Sequence, residues 1–129
     1  MAWATTTQPV EFVAGSADDL IIPLFTGTGE DATPIPTADL DGYTARCQVR
    51  YSPDHPDVLA EWSTSGPNVI TFENSAAVLN VSPAMATASL LWTWTLGLFD
   101  LELTSPADAG SVPNRPIRGI IRVIRPITR

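Results

Sequence analysis

Lysine is absent from this chain, and cysteine and histidine occur once each, as Cys47 and His55. A single cysteine excludes an internal disulfide, and one cysteine with one histidine cannot build a tetrahedral metal cage. Long apolar runs are missing too. Leu20 to Ile22 and Leu96 to Phe99, with their neighbours, are among the longest, far short of the roughly 18 residues that cross a bilayer. The N-terminal Met-Ala-Trp-Ala-Thr-Thr-Thr has neither a basic n-region nor an apolar h-region, so no export signal is expected. Twelve prolines and eight glycines in 129 residues leave little room for long helices, because proline removes a helix donor and clashes with the preceding turn. What remains is one domain's length of chain, 44% hydrophobic, enough to bury about two-thirds of its unfolded surface.

Fourteen acidic residues against seven basic ones give a net charge of -7, which argues against nucleic acid or an anionic membrane as partner. The charge is polarised along the chain. Arg115, Arg118, Arg122, Arg125 and Arg129 fall in the last fifteen residues, where no acid occurs. Their spacing suits one face of a helix, but Pro116, Gly119 and Pro126 interrupt it and Ile120, Ile121, Val123 and Ile124 are β-branched, so a strand is predicted with Arg118 and Arg122 on one face. Two accounts fit such a strand: a solvated edge guarded by charge, or a surface that docks on an acidic neighbour such as another copy's body.

Val10, Phe12 and Ala14, followed by Gly15-Ser16 and the Asp19 to Phe25 stretch, predict a first hairpin, and Thr26 to Asp41 a loop of about fifteen residues. Tyr43 to Tyr51 alternates most cleanly, with Cys47 on its inner face. Val58 to Ser63 and Val69 to Glu73 suggest a hairpin across Ser65-Gly66-Pro67-Asn68, and Val78 to Val81 a short strand. Ser82-Pro83 opens a helix of about two turns, with serine as cap and proline at the first helical position. Leu91 to Thr104 is the longest predicted strand, Gly97 its candidate bulge, and residues 106 to 110 a turn into the Arg-rich strand. The pattern predicts an all-β fold: an antiparallel, immunoglobulin-like or Greek-key β-sandwich of seven or eight strands with one short helix near 83–90. Residues 1–129 form one domain on this reading, with an extended N-terminal segment at 1–9 and an Arg-rich C-terminal strand at 115–129.

No arrangement of titratable groups forms a catalytic motif. Asp100 and Glu102 share a strand face, as a glycosidase pair could, but so do polar residues on any solvated strand. Asp39-Leu-Asp-Gly42 lacks the later ligands of an EF-hand loop, and His55 sits in a Pro-Asp-His-Pro turn. Cys47 has the setting of a small buried hydrophobe. Trp92 and Trp94 share one phase of the predicted strand, and Phe99, Leu101 and Leu103 the other, so one face is exposed unless Gly97 shifts the register or a second protein covers it. Core, protein interface and ligand platform are the three roles open to the two tryptophans. Phosphate loops, nucleophile elbows and Cys/His metal pairs are absent.

The run Asp39-Leu-Asp-Gly-Tyr-Thr-Ala-Arg-Cys-Gln-Val-Arg50 resembles a group of small structural proteins of tailed bacteriophages, whose members read DLTGYTARMQVR. Further matches follow in the same order: Glu61-Trp-Ser-Thr64, Val69-Ile-Thr71, Leu79-Asn-Val-Ser82 before an alanine-rich turn, Leu98-Phe-Asp-Leu-Glu-Leu-Thr104 against YDLELT, and Gly119 to Arg129 closing on Ile-Thr-Arg. The resemblance spans about residues 38 to 129 and includes the layout of upper-baseplate N-terminal β-sandwich domains. Cys47, where methionine is usual, and the Leu91 to Leu96 tract depart from it.

The resemblance implies a non-enzymatic virion component acting through protein–protein contacts, in a tail, baseplate or neck, with capsid decoration as the alternative location. The expected partners are other virion proteins and copies of the chain itself, with no nucleic acid and no membrane. The virion is the expected location, after assembly in the bacterial host cytoplasm. No catalytic residue, cofactor or metal is expected. Trp92, Trp94, Arg115, Arg118, Arg122, Arg125 and Arg129 are the candidate interface residues. The rival from another class is a carbohydrate-binding module with Trp92 and Trp94 as its stacking platform.

Overall fold

The computed structural model describes residues 3–5, 9–26, 32–52, 54–66, 68–105 and 115–125. Along them run β1 (Trp3–Ala4), β2 (Val10–Val13), β3 (Leu20–Pro23), β4 (Phe25–Thr26), β5 (Thr33–Pro34), β6 (Thr44–Arg50), β7 (Ala60–Ser63), β8 (Ile70–Glu73), β9 (Ala76–Leu79), β10 (Leu96–Thr104) and β11 (Arg115–Ile124). One 3-10 turn covers Thr37–Leu40 and one helix, α1, covers Pro83–Ser89. Eight of the strands have four residues or more, in line with the seven or eight predicted. Strands β2-β11-β10-β6-β7 form one sheet, β3-β9-β8 a second and β1-β4-β5 a small third. This is an immunoglobulin-like Greek-key order, with β3, β9 and β8 in one layer and β11, β10, β6 and β7 in the other.

Alternation sends one set of side chains inward from each sheet. Phe99, Leu101 and Leu103 of β10 lie between Cys47 and Val49 of β6 and Ile117, Ile121 and Val123 of β11, all buried. Leu20, Ile22, Ile70, Ala77 and Leu79 of the smaller sheet belong to the same core. Each large side chain so buried contributes about 1.5–3 kcal/mol. Two strand glycines make room for this packing. A Cβ on Gly97 would lie 2.5 Å from Val49 Cγ1, and one on Gly119 2.5 Å from the Phe99 ring. Gly97 therefore sits in regular pairing opposite Ile121 and is not the predicted bulge.

Ser82 caps α1 as predicted, accepting a hydrogen bond from Met85 N at 3.1 Å, with Pro83 opening the helix. No helix among the described residues is long and apolar enough to cross a membrane.

Several pairings differ from expectation. Strands β2 and β3 are not a hairpin: Gly15, at φ +83°, turns the chain away, β2 runs parallel to β11, and β3 pairs with β9. Strands β7 and β8 belong to different sheets, and β7 meets the chain just before β8, through a bridge from Ser63 to Val69. The hairpin partner of β8 is β9, shifted from Val78–Val81 to Ala76–Leu79, across Asn74 and Ser75 at φ +51° and +61°. Both central residues have the positive φ that a tight hairpin turn requires. Within the predicted 26–41 loop, β5 pairs with β4, which also pairs with β1. The N-terminal segment is thus tied into the chain at Trp3–Ala4. The long strand begins at Leu96, not Leu91, and β11 is an interior strand between β10 and β2, not an edge. The predicted turn at 106–110 lies outside the described residues.

Candidate interaction surface

The helix does not stop cleanly at Ser89. Leu90, Leu91 and Trp92 donate back to Thr87, Ala88 and Ser89 carbonyls, so the chain keeps winding where an extended strand was expected. This winding leaves Leu90 and Leu91 exposed and turns both tryptophans toward the sandwich. Trp94 is buried and stacks on Trp92 at a centroid distance of 5.0 Å and 28°, and half-buried Trp92 leans on Phe12. Two parallel open rings are therefore not presented to solvent. Arg125 holds the turn from outside: its guanidinium donates to the Trp92 and Trp94 carbonyls at 2.7 Å each and to Thr95 Oγ1 at 3.3 Å. Arg125→Ala is expected to lower stability by about 1–2 kcal/mol in urea unfolding, and Arg125→Lys to recover only part, since an ammonium cannot span the carbonyls as a guanidinium does.

The outer face of the five-stranded sheet gathers the other charges. Arg118 pairs with Asp100 at 3.5 Å, Arg46 with Glu102 at 3.0 Å, and Arg122 with Glu11. Arg50 donates to Gln48 Oε1 at 3.1 Å, and Gln48 donates to Glu61 at 2.6 Å. Read across the strands, charge alternates: Glu11 on β2, Arg118 and Arg122 on β11, Asp100 and Glu102 on β10, Arg46 and Arg50 on β6, Glu61 on β7. Within the stripes lies an apolar seam, where half-buried Leu98 stands opposite exposed Ile120 and exposed Leu96 precedes them. A depression of about 240 Å³ sits there, walled by Leu98, Ile120 and Gly119 with Arg118, Arg50 and Asp100 at its rim.

Among the predicted site residues, Arg118, Arg122 and Arg125 are thus engaged within the chain, the first two in the stripes and the third at the tryptophan turn. The side chain of Arg115, and Arg129 altogether, lie outside the described residues. The stripe partners Glu11, Arg46, Gln48 and Glu61 were not singled out in the sequence. Alternation places each on an outward face, but only the strand order makes them neighbours.

The titratable candidates stay apart. His55 Nδ1 accepts from Asp57 N at 3.2 Å, and its ring stands edge-to-face with that of Tyr51. No cluster of three or more His, Cys, Asp or Glu able to hold a metal occurs among the described residues. Cys47 is buried, and that burial, with the negative charges of Asp100 and Glu61 adding to it, pushes its thiol far above the usual range. Folding therefore favours the protonated thiol, so this residue leaves stability unchanged below a pH of about 8.5 and lowers it above, by about 1.4 kcal/mol per pH unit. Native protein at pH 8 is expected to resist a thiol reagent that labels the urea-unfolded chain at once. Rapid native labelling would contradict the burial.

No protein-family model matches this sequence, and no curated protein matches it.

Proposed function

We propose that the chain is a non-enzymatic structural component of a tailed-phage virion, a tail, baseplate or neck module working through protein–protein contacts. The observation that supports this best is the outer face of the five-stranded sheet, where exposed Leu96 and Ile120 flank half-buried Leu98 between rows of paired charges. Exposed apolar residues bordered by ion pairs suit a specific protein contact. The segments that carry the phage resemblance coincide with β6, β7, β8, the end of β9, β10 and β11, so the resemblance follows the two main layers. The carbohydrate platform is the weaker reading, because Trp94 is covered by its neighbours and Trp92 is half-buried.

Mass spectrometry of purified particles, followed by labelling of this chain on them, tests the proposal. Stoichiometric recovery with label at the tail, baseplate or neck supports it. Label spread over the head would move the role to capsid decoration, and absence from particles would remove the virion reading.

A further inference from the structure

The stripes on the outer face are complementary to themselves under one particular rotation. A two-fold axis running along the strands, above the seam between β10 and β11, would bring β10 of one copy over β11 of the other. Residues paired across the seam sit at the same level along the strands: Leu98 with Ile120, and Asp100 with Arg118. The rotation therefore sets Leu98 against the second copy's Ile120 and Asp100 against its Arg118. The next rows out, Glu11 on β2 and Arg50 on β6, also meet with opposite sign, one step apart along the strands. An axis placed over β10 itself would instead oppose arginine rows to arginine rows. We infer that this face docks a second copy of the chain in an isologous dimer, its apolar seam at the centre and alternating charges around it. A closed two-fold contact uses one patch twice, which self-complementarity of this kind provides.

The dimensions suit a weak dimer. About this axis four strands, β6, β10, β11 and β2, face their counterparts and β7 lies beyond them; at about 4.8 Å spacing and roughly 25 Å of strand length they cover about 480 Å² per copy, against about 800 Å² for a standard-size interface. The depression of about 240 Å³ beside Leu98 and Ile120 receives the partner's Ile120, and Asp100 and Arg118 of the two copies close a four-membered ring of alternating charge. The inference refines the assembly reading above, but its test does not depend on where the protein sits in a particle. Recovery from virions and dimerisation in solution can fail separately.

Sedimentation of the full chain over roughly 1–100 μM, where an interface of this size dissociates, is expected to show a monomer–dimer equilibrium that weakens with salt. Asp100→Arg and Arg118→Asp, each alone, set like charges against like across the axis and are expected to weaken it at least tenfold. An equimolar mixture of the two variants is expected to associate again, since arginine pairs then meet aspartate pairs. Contacts within one chain cannot produce that rescue. Ile120→Ser, outside the core, should weaken the dimer by a similar factor and carries the test if a charge variant loses its β circular dichroism. A chain that is monomeric throughout, or folded charge variants that fail to associate on mixing, would overturn the inference and leave the face to a different protein.

Discussion

Trp94→Ala is expected to lower the free energy of unfolding by about 3–5 kcal/mol, measured by urea denaturation. The ring is 5% exposed, stacks on Trp92, and lies where a Cβ on Gly97 would approach it at 3.2 Å. Removing it opens a cavity at the end of the sandwich, beneath the turn held by Arg125, and takes away the support of Trp92. The indole N–H is buried with no acceptor among the described residues, so it adds desolvation rather than stability. Trp94→Phe should accordingly lose far less than Trp94→Ala, despite its smaller volume. A ligand platform makes the opposite forecast: Trp94→Ala would fold as the native chain does and lose only binding.

Gly119→Val carries the second large effect. Its Cβ would fall 2.5 Å from both Cε2 and Cζ of Phe99, whose ring crosses over the glycine from the neighbouring strand. Phe99 is 2% exposed and belongs to the buried core, so relief requires displacement of core side chains, at about 3 kcal/mol or more. A double-mutant cycle isolates this contact. Gly119→Ala in the native background should lose about 2 kcal/mol, and clearly less in a Phe99→Leu background where the overlapping ring is gone. Additive losses would mean that Gly119 matters for backbone reasons instead.

These effects mark the limit of what periodicity encodes. Alternation over Thr44–Arg50 and Phe99–Leu103 reveals both strands and the faces they bury, and Ser82-Pro83 reveals the helix start, because each is a local pattern with a local cause. Alternation does not say which strand lies alongside. The local pattern pairs Val10–Val13 with its neighbour in sequence, yet its partner is more than a hundred residues away on β11, and the same long connection brings Arg122 to Glu11. The arginine row had a legible outward phase, but whether it formed an edge or an interior strand depended on that distant pairing. Trp92 and Trp94 escape the alternation for a different reason. Their parity with β10 has meaning only along extended backbone, and the back-bonding from Leu90 to Trp92 breaks the phase before the strand begins.

Cryo-electron microscopy of the intact particle tests the central claim most directly. The account predicts density for this chain in the tail, baseplate or neck, with Leu96, Leu98 and Ile120 covered by protein and the tryptophan turn packed within its own chain. A particle without this chain, or one in which that sheet face stands open to solvent while another surface makes every contact, would contradict it.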